Sequence, residues 1–282
     1  MPTCNVCHNR CNLTEGQTGL CHARKYENGF FVCKNYGLIT SIALDPIEKK
    51  PLNLFYPGSN IISVGSYGCN LRCPFCQNHE ISIGFGVEYH GSISYLSPDR
   101  LAEIADSYRD QGNIGVAFTY NEPLMSYEYV IDVSRKVHEK GLKTVLVSNG
   151  CVSMQVAEQV LPHIDAMNID LKGFTDDFYR DVLHGDRKMV MDFIEYATTS
   201  SHVEITTLVI PGLNDRDEEI AALAKWIASL NGGSGKSEIA LHISRFFPRF
   251  KMQTIPATSI DAIYHLRDVA EIYLDHVYTG NC

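Results

Sequence analysis

The stretch Gly68-Cys69-Asn70-Leu71-Arg72-Cys73-Pro74-Phe75-Cys76-Gln77-Asn78 places three cysteines at C-x3-C-x2-C spacing. One glycine, one proline and no apolar periodicity mark it as a loop. It follows a strand-like run, Asn60-Ile61-Ile62-Ser63-Val64. A loop leaving a strand can fold its thiolates toward one point, which a helix or strand of this length cannot do. Three converging thiolates without a fourth nearby suit a 4Fe-4S cluster with one iron left open, whereas a structural zinc is normally closed by four ligands. A zinc loop with a distant fourth ligand, and buried unliganded thiols, are the competing readings.

Outward from this loop the chain alternates. Upstream, residues 36–44 read as a strand, followed by a connector in which Pro46, Pro51 and Pro57 exclude a regular helix or central strand. Downstream, Ser97-Pro98-Asp99 caps a helix whose Leu101, Ile104, Ala105 and Tyr108 share a face. Further helices are read over 126–140, 153–161, 176–200, 215–230 and 259–274. Strands are read over 114–118, 143–147, 166–171, 203–210, 238–243 and 276–278. Strand then helix, repeated about six times, requires parallel pairing with crossover helices. The fold class is therefore α/β. Six units are too few for a closed eight-fold barrel, so a partial, open (β/α)6 TIM-like barrel is expected, with chemistry at the C-terminal ends of its strands.

The polar motifs fall at those ends. Thr119-Tyr120-Asn121-Glu122-Pro123 follows the second strand, Ser148-Asn149-Gly150 the third and Asp170-Leu171-Lys172 the fourth. Pro211-Gly212-Leu213-Asn214-Asp215 follows the fifth and His242-Ile243-Ser244-Arg245 the sixth. Each has a plainer use: Asn121-Glu122 as a turn and cap, Asn149-Gly150 as a turn, Asn214-Asp215 as a cap and His242 as a core residue. Asp170 and Lys172 share a strand face, so an ion pair between them stands level with ligand contact.

Composition narrows the function classes. The 282 residues are 45% hydrophobic, enough for a sizeable core. A net charge of −9 and a pI near 5.6 argue against nucleic-acid backbones or anionic membranes as partners. No apolar run approaches a bilayer span and the N-terminus shows no signal-peptide pattern, so a cytoplasmic location is expected. Gly232-Gly233-Ser234-Gly235 reads as a flexible insertion. Ten cysteines crowd toward the N-terminal third, which in a reducing compartment points to metal binding. Residues 1–35 form a cysteine-rich head before a main domain at 36–282. Its Cys4, Cys7, Cys11 and Cys21 have too little apolar sequence around them to build a core without a metal. Zinc and a second iron–sulfur cluster stay open as occupants, as do loose thiols.

The cysteine loop resembles that of the radical S-adenosylmethionine (SAM) superfamily. The resemblance implies that Cys69, Cys73 and Cys76 hold a 4Fe-4S cluster whose open iron is chelated by SAM. Together with Asn149-Gly150, Asp170-Leu171-Lys172 and Val209-Ile210-Pro211-Gly212, the loop is similar to the pyruvate formate-lyase activating enzymes. That likeness implies Phe75 and Asn78 beside the nucleoside and Asn121 and Glu122 near the SAM amino group. It implies Ser148, Asn149, Asp170 and Lys172 at the ribose and carboxylate. Tyr120-Asn121 stands where that group has two glycines, and Arg245 where it has a histidine. A longer set of motifs, including Asp45-Pro46-Ile47-Glu48-Lys49-Lys50-Pro51-Leu52 and His242-Ile243-Ser244-Arg245-Phe246-Phe247-Pro248, resembles the radical SAM component of the AmmeMemoRadiSam system. That group commonly carries a further C-terminal cysteine pair, of which only Cys282 is seen.

By this likeness the chain is an oxidoreductase drawing electrons from a donor such as flavodoxin or ferredoxin. Its substrate is expected first to be a protein or peptide, through glycyl-radical formation or another radical modification. A small metabolite is the second reading, and an iron–sulfur electron-transfer or zinc-structured interaction protein the third.

Overall fold

Seven of the expected strands pair in register as one sheet, and the helices between them cover its outer face. The computed structural model describes residues 1–84, 91–230 and 238–282, so the glycine-rich stretch at 232–235 lies outside the described residues. In the head, β1 (Arg24–Glu27) and β2 (Phe30–Cys33) form an antiparallel hairpin. β3 (Leu38–Ile39) and β4 (Ser41–Pro46) lead to β5 (Asn60–Gly65). Then come α1 (His79–Ser82), β6 (Ser94–Tyr95), α2 (Pro98–Ser107), β7 (Asn113–Phe118), α3 (Tyr127–Glu139) and β8 (Lys143–Ser148). The chain continues through α4 (Met154–Val160), β9 (Ala166–Asp170), a π-helical segment at Phe178–Leu183, α5 (Arg187–Ala197) and β10 (His202–Val209). It ends with α6 (Asp217–Ser229), β11 (Ala240–Arg245), α7 (Ile260–Glu271) and β12 (Val277–Gly280).

Among the described residues the sheet runs β12-β11-β10-β9-β8-β7-β5-β4. Every pair from β12 to β5 is parallel, and β4 lies antiparallel on β5. This is the partial, open α/β barrel read from the sequence. The stretch at 36–44 differs in detail: it is broken at Thr40, whose N–H and hydroxyl bond the carbonyls of Gly65 and Ser66. Its second half, β4, continues through Pro46, because an edge strand can spare the missing N–H.

Strand alternation divides the core. Val64, Phe118, Leu146 and Ile169 point outward and pack under the helices. Ile61, Ala117, Val145 and Ala166 point inward, where Ile47 and Leu52 of the connector cover them. The helices are started by local chemistry: Ser97 accepts from Arg100 N at 3.2 Å, Asp186 from Met189 N at 3.1 Å and Ser259 from Ala262 N at 3.1 Å. Each such cap contributes about 1 kcal/mol.

The connector also explains the buried charge at the other end of the barrel. Glu204, fully buried at the start of β10, accepts Asn53 N at 3.0 Å, Leu54 N at 2.8 Å, His202 Nε2 at 3.0 Å and His242 Nε2 at 2.7 Å. Asn168 Nδ2 donates to Pro51 O at 2.8 Å. His242 is thus a core residue inside β11, as its plainer reading held, and with this network closes the floor of the barrel.

Candidate active site

Parallel pairing brings the C-terminal ends of β5, β7, β8, β9, β10 and β11 to one edge of the sheet, and the cysteine loop leaves the first of them. Gly68 turns the chain at φ +92°, and a Cβ there would lie 2.3 Å from the Cys21 carbonyl oxygen, so only glycine fits beneath the head. Cys73 is buried, and Cys69 and Cys76 are half-buried. Cys69 Sγ receives Leu71 N–H at 3.4 Å and Asn149 Nδ2 at 3.6 Å. Burial pushes all three thiols up, Cys73 to about 12, while the Lys172 cation opposes this at Cys73 and Cys76. Thiols in such surroundings ionise when a cationic metal offsets the lost hydration. Soft sulfur donors receiving N–H groups beside a fixed ammonium fit a thiophilic iron–sulfur centre. Among the described residues, no three His, Cys, Asp or Glu side chains converge to hold a single ion.

The neighbouring loops are clasped to this one. Glu122, 2% exposed, accepts Ser148 Oγ at 2.7 Å, Leu124 N at 3.0 Å and Asn149 N at 2.8 Å. Burial pushes its carboxyl up to about 7 against those three donors. Asn121 Oδ1 accepts Ser66 N at 2.9 Å, and its Nδ2 donates to the carbonyls of Tyr67 and Gly68 at 3.1 Å each. Asn78 Nδ2 donates to Tyr120 O at 2.8 Å. In this structure Asn121, Glu122, Ser148 and Asn78 tie the β5, β7 and β8 ends together, a role that leaves their expected ligand contacts untouched.

Asp170 Oδ2 pairs with Lys172 Nζ at 2.9 Å, and Asp170 keeps 34% of its side chain exposed. Phe75 is buried within the loop. Arg245, at the end of β11, donates Nε to Thr258 O at 2.6 Å and lies over the Phe247 ring. The residues before it, His242 to Ser244, lie within the strand and not beyond it. Asn214 does not cap α6. Its Oδ1 accepts Ile210 N at 2.7 Å and its Nδ2 donates to Lys172 O at 2.8 Å, tying the β9 and β10 ends together.

Three residues of the site were given no role by the sequence reading. Asn70 receives Asn149 Nδ2 on its side-chain oxygen at 2.9 Å and donates to Cys151 O at 2.7 Å. Cys151 Sγ lies 3.1 Å from His8 Nδ1, whose Nε2 donates to His184 O at 2.7 Å. With Nε2 protonated, Nδ1 accepts from the Cys151 thiol. These contacts span long stretches of chain and left no local signal in the sequence.

Tyr120 adopts φ +73°, a left-handed conformation costing a non-glycine residue about 1–2 kcal/mol. Its hydroxyl donates to Asp45 Oδ2 at 3.0 Å, Asp45 pairs with Lys50 Nζ at 2.9 Å, and Lys50 lies over the Tyr120 ring. The Asp45–Lys50 motif therefore holds Tyr120 where a glycine would relax. Tyr120→Ala is expected to lose more stability than Tyr120→Gly, by about 1 kcal/mol, in urea unfolding. Equal losses would mean that the backbone there carries no strain.

Comparison with known proteins bears on the same region. The model of the Radical SAM superfamily matches residues 63–224. The chain is 36% identical, over 99% of its length and 80% of the relative's, to the uncharacterized protein MJ0808 of Methanocaldococcus jannaschii. It is 26% identical to a pyruvate formate-lyase-activating enzyme of Clostridium pasteurianum, over 58% of this chain and 67% of that one. Among solved structures, Streptococcus suis SuiB bound to S-adenosylmethionine superposes with a TM-score of 0.57 at 13% identity, over 79% of this chain and 52% of that one.

Proposed function

Because the chain belongs to the radical SAM superfamily, we propose that it binds a 4Fe-4S cluster through Cys69, Cys73 and Cys76 and cleaves SAM reductively to modify a protein or peptide. The observation that carries this reading is the gathering of the three thiols with Asp170, Lys172 and the Glu122–Asn149 clasp at one edge of a parallel sheet. Held by Cys69, Cys73 and Cys76, such a cluster would supply the one-electron reduction that divides SAM into methionine and a hydrogen-abstracting 5′-deoxyadenosyl radical.

The chain's own groups set the stage. Lys172, cationic beside Cys73, offsets the charge of the thiolates. Asp170 and Lys172, ion-paired at 2.9 Å, present an anion and a cation to the polar ends of SAM. The Asn121 and Glu122 struts hold the β7 end rigid, so that the co-substrate meets a preformed surface. Among the described residues β12 and β4 are the two edge strands and do not pair with each other, so the barrel stays open, with room for a polypeptide at the mouth. The similarity to an enzyme that activates pyruvate formate-lyase supports a protein substrate.

Anaerobic incubation with SAM, a low-potential reductant and candidate polypeptides tests the assignment. A polypeptide carrying deuterium at its reacting carbon should pass it to 5′-deoxyadenosine. Transfer from a small metabolite, with none from any polypeptide, would overturn the substrate class.

A further inference from the structure

Behind Cys69 two buried amides, Asn70 and Asn149, are locked against the backbone of a third residue. Cys151 supplies both anchors. Its N–H donates to Asn149 Oδ1 at 2.9 Å, and its carbonyl accepts Asn70 Nδ2 at 2.7 Å. An amide side chain can be turned over without changing its shape, so its hydrogen bonds decide which end faces a neighbour. Here the backbone of Cys151 decides both. A backbone N–H only donates and a carbonyl only accepts, so Asn149 must aim Nδ2 elsewhere, and Asn70 must do the same with Oδ1. The two released ends meet, Asn149 Nδ2 donating to Asn70 Oδ1 at 2.9 Å. That bond uses one hydrogen of the Asn149 amide. The other is left for Cys69 Sγ, 3.6 Å away.

The surroundings keep this donor from turning aside. Gly150 takes φ +64°, which folds Cys151 N back onto Asn149. Asn149 N is held by Glu122, and Gly150 N donates to Ser148 Oγ at 3.0 Å. From the other side, Asn70 O accepts Asn9 Nδ2 of the head at 2.8 Å. The head, with Cys4, Cys7 and Cys21 buried and Cys11 half-buried, rests on Gly68 through the Cys21 carbonyl. A protonated Cys69 can itself donate to Asn70 Oδ1, 3.9 Å away. A thiolate only accepts, and the Asn149 amide already faces it.

N–H groups directed at cysteine sulfur stabilise the negative charge that an iron–sulfur cluster gains on reduction, and so raise its reduction potential. We propose that Asn149 is a positioning residue that holds an N–H on the Cys69 sulfur and makes the loop's cluster easier to reduce, and that Asn70 keeps the amide turned toward that sulfur. This role is separate from any contact with SAM. It rests on the loop being the seat of a cluster, and the test tells the two apart.

The test is an anaerobic redox titration without SAM, followed by electron paramagnetic resonance. It compares iron- and sulfide-reconstituted wild type, Asn149→Ala, Asn70→Ala and Cys69/Cys73/Cys76→Ser. With SAM absent, a bond between Asn149 and SAM has no part in the result. The loop's signal is the one present in wild type and missing from the triple variant. Its midpoint potential is expected to fall in Asn149→Ala, which removes the N–H. It should fall less in Asn70→Ala, which leaves the N–H in place but free to swing. Asn70→Ala also keeps the comparison open should Asn149→Ala not retain iron. An unchanged or raised midpoint in either loaded variant would overturn the proposal. A wild-type signal that persists whole in the triple variant would overturn the reading of the loop, and the proposal with it.

Discussion

Replacing Cys69, Cys73 and Cys76 together by serine is expected to abolish SAM cleavage while leaving the barrel folded. Serine offers a hard oxygen with a far higher pKa than a thiol, so iron loses its soft donors. Little of the loop's fixation depends on the sulfurs. Asn70 holds it through Asn149 and Cys151, Arg72 N bonds Leu183 O at 2.9 Å, and Pro74 O accepts Lys251 N at 2.9 Å. Far-UV circular dichroism and the urea midpoint should therefore stay near wild type while 5′-deoxyadenosine formation falls to background. A variant that still cleaves SAM would place the reaction elsewhere.

The second large effect lies at the floor of the barrel. Burial alone would raise the Glu204 carboxyl, yet the donors from His202, His242, Asn53 and Leu54 outweigh it and bring it down to about 2. A carboxyl whose folded pKa is depressed stabilises fully above its unfolded value near 4.5 and loses that contribution as pH falls toward 2. That contribution is about 3 kcal/mol. Glu204→Ala strands two imidazole donors and two backbone N–H groups in the interior, which costs about 3–5 kcal/mol. Urea unfolding at neutral pH should show that loss, and the variant's stability should vary less than wild type's between pH 4.5 and 2. A loss below about 1 kcal/mol would mean that water reaches these donors. Because the network lies at the opposite end from the cysteines, iron content should not change.

Much of this architecture was legible in the chain. The apolar runs at 114–118, 143–147 and 166–171 could only be buried strands, and the helices between them were marked by caps such as Ser97 and Ser259. The alternation then fixed the parallel sheet and gathered the polar motifs at one edge. What sequence did not disclose was long-range. The hairpin of β1 and β2 has no strong period, and the inward fold of residues 47–55 over the barrel floor depends on Glu204, some 150 positions away. The roles at the site were hidden for the same reason. Asn121, Glu122 and Ser148 are polar residues at strand ends whether or not they bond one another, and only coordinates disclose the bonds that tie those ends together. Asn214 looked like a helix cap because its partners, Ile210 and Lys172, lie upstream of it.

We propose that SAM is cleaved at the Cys69–Cys76 loop. The most direct measurement is chromatography of an anaerobic mixture of reduced, iron-loaded wild-type protein and SAM. 5′-Deoxyadenosine and methionine are expected to appear together in equal amounts. Iron-loaded protein that leaves SAM intact under reduction would contradict it.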